Sequence, residues 1–175
     1  VSHVLVPLNP LAYGHGIAHV VSVHDAVEGP LPASRDGRAP LELGPLLGWQ
    51  LHFPWAKNPL PMNGGHGNRY AHAAAARNCR MTSYFLARQL PRLERIRVQL
   101  VWEVVTRGTR DEDNLGDLAK RVVDGLRDDP AKDLRSVVVD DTPDYVVREM
   151  HRIHYAPRDA RTRPRAHFRL HVWPA

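Results

Sequence analysis

The chain has almost no means of covalent cross-linking: Cys79 is the only cysteine in 175 residues. An internal disulfide is excluded, which fits a reducing compartment. Long hydrophobic runs are missing too, and nothing approaches the ~20 apolar residues of a membrane span. No basic segment followed by an apolar stretch opens the chain, so no secretory signal is read. The expectation is a cytoplasmic chain with no membrane partner. Lysine is scarce, at 3 residues against 21 arginines. The planar arginine fork suits phosphate better than the point charge of lysine does.

The net charge is +5 and the pI about 9.8. It is unevenly spread. Residues 1–46 hold two arginines and four acids, a balance of −2, which leaves +7 for residues 47–175. A basic body points to an anionic polymer as partner; an arginine-biased proteome would give the same charge. Residues 1–46 are broken by Pro7, Pro10, Pro30, Pro32, Pro40 and Pro45. They read as a loosely structured extension in which only 18–27 has strand character. Residues 47–175 read as the folded domain.

Within that domain, LGWQLHFPW (47–55) alternates with period two, a strand pattern. A Pro-, Asn- and Gly-rich loop follows at 57–68, and the alanine-rich segment 69–90, stopped by Pro91, predicts a helix. IRVQLVWEVVT (96–106) predicts a strand. A second helix is predicted from Asp113 or Asn114, both good N-cap residues, with Leu115, Leu118, Val122 and Leu126 as its apolar stripe. The short run SVVV ends in Asp140 and Asp141. Segments 145–155 and 166–173 read as strands, joined as a hairpin by the basic turn 157–165 with Arg158, Arg161, Arg163 and Arg165. This order predicts an α+β domain: a small mixed β-sheet with two main helices.

Acid is concentrated in TRDEDNLGDLAK (109–120), directly after the clearest strand. Asp111 and Asp113 stand two apart, and Asp141 could join them from a neighbouring strand end. Three carboxylates would suit a hard divalent cation. Asp113, Asp117, Lys120 and Asp124 share one helical stripe opposite the leucines. The plain alternative is an Asp-capped, solvated helix face with an Asp117–Lys120 pair. His15, His19 and His24 lie among glycines and prolines that disfavour a zinc-binding helix. Cys79, in its alanine-rich helix, reads as a small core residue. GGHG (64–67) lacks the ending of a phosphate loop.

In combination, these segments resemble the RusA family of Holliday junction resolvases, especially its phage-type members. The matching pieces run in order over residues 51–155: FPWAKNPLPMNG with Asn63, a helix, a strand, DEDN (111–114), KRVVDGL (120–126) and DDTPDYVV (140–147). The lysine stands seven residues after Asp113, against four in the family's shorter version, and residues 1–46 have no counterpart. The resemblance implies a RusA-like fold and a homodimeric, magnesium-dependent endonuclease for branched DNA such as a four-way junction. It implies the cytoplasm of a bacterial or phage-infected cell as the setting. By position it implies Asp111, Asp113 and Asp141 as catalytic, metal-binding carboxylates and Lys120 as the catalytic lysine. DNA contacts are expected from Asn63, Arg69, Arg77, Arg80, Arg148 and Arg152, with Arg148 and Arg152 on one face of a strand. A branched-DNA-binding protein of the same fold that no longer cuts is the competing reading.

Overall fold

The computed structural model describes residues 48–62, 69–104, 108, 110–155 and 167–175, together with strand backbone at 5–6 and 18–22. Among the described residues, seven strands and two main helices make up the regular structure. They are β1 (Leu5–Val6), β2 (Ala18–Ser22), β3 (Trp49–Phe53), α1 (Arg69–Ala87), β4 (Ile96–Val104), α2 (Gly116–Asp124), β5 (Val146–Arg148), β6 (Arg152–Tyr155) and β7 (His167–Pro174). A 3-10 turn at Glu112–Leu115 leads into α2, and another lies at Pro130–Lys132. The fold is the expected α+β domain.

The strands form one sheet in the order β1, β2, β3, β7, β4, β5, and β6 also pairs with β4. Pairing is antiparallel from β1 to β4 and parallel where β5 and β6 lie along β4. The expected hairpin between 145–155 and 166–173 is not formed. Strand β7 lies between β3 and β4, while β5 and β6 occupy the opposite edge of β4. The expected single strand 145–155 is instead two short ones, parted at Glu149–His151. The turn 157–165 lies outside the described residues. Strand β2 pairs with β3 from His19↔His52 to Ser22↔Trp49, so part of the N-terminal segment is a member of the sheet.

Alternation decides which side chains meet the helices. Leu51 and Phe53 of β3, Val98 and Leu100 of β4, and Phe168, Leu170 and Val172 of β7 are buried on one face. Against them pack Leu86 from α1 and Leu118 and Val122 from α2, with Leu115 and Leu126 at its two ends. Leu115, Leu118, Val122 and Leu126 are the stripe expected from the 3.6-residue period, and all four are fully buried. Each large apolar side chain so buried stabilises the fold by roughly 1.5–3 kcal/mol. Phe168 anchors an aromatic group, stacked on Trp102 at 5.2 Å and edge-on to Trp55 at 6.3 Å. Cys79 is buried, and burial pushes its thiol up to about 12, so it acts as a small core residue.

SVVV does not become a strand. Val137 and Val138 turn under the end of α2, where their amides donate to the Leu126 carbonyl at 3.0 and 3.1 Å. Gly125 lets the end of α2 lie close against α1. A Cβ there would lie 2.5 Å from the Arg80 carbonyl oxygen and 2.6 Å from Ser83 Cβ. The loop 127–135 is tied down by ion pairs, Arg92 with Asp128 at 2.8 Å and Arg80 with Asp129 at 2.9 Å. Among the described residues, no helix is long and apolar enough to cross a membrane.

Candidate functional site

The acidic signature is built around α2. Strand β4 delivers the chain to Asp111, whose extended backbone and side chain cap the following 3-10 turn: its Oδ1 accepts from the Asp113 amide at 3.0 Å. The cap is thus Asp111, two residues before the earliest start expected, because the 3-10 turn precedes the α-helix proper. The acid between the pair has a different task. Glu112 Oε1 accepts the Ile153 amide of β6 at 3.1 Å, and its other oxygen lies 4.0 Å from Arg152. From the other side, Asn58 Nδ2 donates to the Asn114 carbonyl at 2.7 Å. The head of the helix is therefore fixed by β6 and by the 57–62 loop, while the carboxylates of Asp111 and Asp113 remain exposed.

The foot of α2 carries a second pair of acids. Asp124, the last helical residue, hydrogen-bonds with Asp141, and burial first, then the neighbouring Asp141 charge, raises its carboxyl above the ordinary value. Burial also works against the Asp141 charge, but Arg127 and Arg148 outweigh it and hold this carboxyl below the ordinary value. The contacts are 3.4 Å from Arg127 Nε and 2.7 Å from Arg148 Nη2. Asp140 adds a 3.5 Å contact with Arg127.

This geometry corrects the expected convergence of Asp111, Asp113 and Asp141. Asp141 sits against the last residue of α2, whereas Asp113 precedes its first. A nine-residue helix spans roughly 13 Å, and a shared magnesium ion needs each ligand at about 2.0–2.1 Å. Among the described residues, no group of three or more His, Cys, Asp or Glu is placed to hold a metal ion. The residues form two acid pairs at opposite ends of a helix, so they do not fit the three-aspartate magnesium site, and no chemical step is assigned to one.

The other expected residues divide. Lys120 is exposed on the solvent side of α2. Its anticipated pairing with Asp117 is absent: Asp117 is taken by His72 of α1 at 3.0 Å and by Arg121 at 3.2 Å. The positive charge of Lys120 is instead felt by Asp124. Arg69 and Arg77 are exposed on α1, and Arg69 lies over the Tyr70 ring at 5.0 Å. Arg80 is engaged by Asp129, so it braces the 127–135 loop and is not a free phosphate contact. Arg148 and Arg152 do not share a strand: the first ends β5, the second begins β6. Asn63 lies outside the described residues, as do His15, His24 and GGHG.

Sequence reasoning gave Asp124 a place on the helical stripe but no role, and it missed Arg127 and Glu112. Asp124 and Arg127 are three apart, a spacing that could have flagged the foot of the helix. The bond from Glu112 to β6 depends on sheet order, and spacing carries no sign of it. No protein-family model, curated protein or solved structure matches this chain.

Proposed function

We propose that the chain is an endonuclease acting on branched DNA, the activity its RusA resemblance implies, working as a homodimer; the magnesium dependence that the resemblance also implies would need ligands other than the three aspartates together. The observation that carries this reading is the line of signature residues along the outer side of α2. Asp111 and Asp113 stand exposed at its head, Lys120 is exposed partway along, and Asp124 with Asp141 closes its foot. An exposed carboxylate such as Asp113 can take the proton of an attacking water. Lys120 can offset charge developing on the phosphate. Exposed arginines, Arg69, Arg77 and Arg152 among them, supply non-sequence-specific phosphate contacts. A two-fold dimer would offer one such face to each of two opposed strands.

A second reading, a binder of branched DNA that does not cut, is favoured by one observation: Asp141 is held by two arginines and lies away from Asp113. The separating experiment incubates the protein with a four-way junction, a fork and a linear duplex, with magnesium and with chelator. Nicking of the branched substrates in magnesium, lost on chelation, supports the nuclease. Binding without nicking supports the second reading, and no preference for branched DNA sinks both. Lys120→Ala should lower single-turnover nicking by ~10²–10³ if the lysine stabilises transition-state charge. A rate close to that of the unaltered protein removes it from the mechanism.

A further inference from the structure

Beside the foot of α2, at the outer edge of β5, lies a cavity of about 530 Å³ lined by Arg95, Asp141, Pro143, Val146, Val147 and Arg148. We propose that this cleft binds one phosphodiester of a nucleic-acid backbone with its adjoining sugar, and that Arg95 is the anchor. The proposal rests on the DNA reading above and extends it to Arg95, a residue from which no contact was expected, beside Arg148, from which one was.

The charges in the cleft are unequal in what they can still do. Arg148 donates through Nη2 to Asp141 Oδ2 at 2.7 Å and to the Asp141 carbonyl at 3.1 Å, so that nitrogen is committed to Asp141. Arg127 faces the other Asp141 oxygen at 3.4 Å. That carboxylate is thus matched by two cations and does not oppose an incoming anion. Arg95 differs: its side chain meets the Pro143 carbonyl at 3.5 Å, a long contact with a neutral acceptor. A guanidinium with so weak a partner gains most from a phosphate, whose oxygens match its fork. Its backbone is fixed. The Arg95 carbonyl accepts the Ala175 amide at 3.1 Å, and the next residue, Ile96, donates to Tyr145 at 2.8 Å. The guanidinium therefore projects from a firm sheet edge. Pro143, Val146 and Val147 give the cleft an apolar floor, suited to a sugar face.

The test uses the full chain and a fluorescein-labelled four-way junction, with anisotropy read from roughly 50 to 200 mM salt. Arg95→Gln should weaken binding about five- to ten-fold at the low end and reduce the salt slope by about one. Arg95→Lys should restore the slope but only part of the affinity. An Arg95→Gln protein with unaltered affinity and slope overturns the proposal. Pyrophosphate titrated against the labelled amides of residues 144–148 supplies the second arm. Should the unaltered protein bind no junction, the DNA reading falls, and this arm decides the cleft alone. Shifts at 144–148 that vanish in Arg95→Gln keep a phosphate site for free phosphates, and no shifts overturn it.

Discussion

Asp111 and Asp113 at the head of α2 and Asp124 and Asp141 at its foot have opposite surroundings. At the head, Asp111 and Asp113 are exposed, and one of their four oxygens is used to cap the turn. At the foot, Asp124 and Asp141 share a hydrogen bond and are crowded by Arg121, Arg127 and Arg148. Acids with open oxygens are able to take part in chemistry. Acids closed in by arginines hold the loop after the helix against it. On the proposed nuclease reading, the difference would place the chemistry at the head, while the foot serves cohesion.

The sharpest way to break this assignment is Asp113→Asn. Cutting of a junction should fall by at least ~10²-fold, the low end of what a general base contributes, with stability changed by under about 0.5 kcal/mol. Undiminished cutting would move the chemistry away from the head.

The next effect contrasts the two glycines that bound the helix. Gly125→Ala drives a methyl into the backbone of α1 and should cost about 2–3 kcal/mol, seen as a lowered denaturation midpoint. At the head, a Cβ on Gly116 would meet Met62 Sδ at 3.4 Å, where a flexible side chain can yield. Gly116→Ala should therefore shift the midpoint by less than about 0.5 kcal/mol. Equal losses at both positions would end the contrast between a packed foot and an open head.

A smaller effect follows from protonation at the foot. The carboxyls of Asp141 and Asp128 are held below the ordinary value of 3.8, the second chiefly by its hydrogen bond from Arg92. Groups lowered in this way stabilise the fold above 3.8, and that stability is lost as pH falls through their folded values. Asp124 has the opposite sign: its raised carboxyl favours the fold at low pH and loses that contribution as pH rises through the folded value. Denaturation midpoints measured from pH 7 to pH 3 should fall, and Asp141→Asn should flatten the fall. Asp124→Asn should raise stability near neutrality by up to ~1 kcal/mol, because it removes a carboxylate that burial and Asp141 both disfavour. A loss of stability in Asp124→Asn would mean that its charge is needed to balance Arg121.

The helical stripe was legible in the sequence because burial of Leu115, Leu118, Val122 and Leu126 leaves a 3.6-residue period in the order of residues. Alternation marked β3 and β4 in the same way. Segment 145–155 reads as one strand because Val146, Val147, Ile153 and Tyr155 signal pairing on both sides of Glu149–His151, and a sequence does not record where a ladder is interrupted. The order of residues puts Asp141 at the head only if SVVV is a strand ending beside β4. Its true neighbours follow from Val137 and Val138 folding under Leu126, a tertiary contact without a period. The second face of the sheet was silent for the same reason. His171 is fully buried there, with neither ring nitrogen hydrogen-bonded. Burial first, then Arg169 and His52, pushes its imidazole down to about 3.

Strand β7 follows every other described strand in the chain, yet it stands between β3 and β4. Its partners lie far back: Trp49 meets Val172, and Leu100 meets Leu170. Helix α1 and strands β3 and β4 can collapse together while a ribosome is still at work, but the sheet has no middle until β7 arrives. Pairings at such separation close large loops, which slows folding and leaves strand edges open in the meantime. The time this domain spends exposed to aggregation is therefore set by its last eight-residue strand, His167–Pro174.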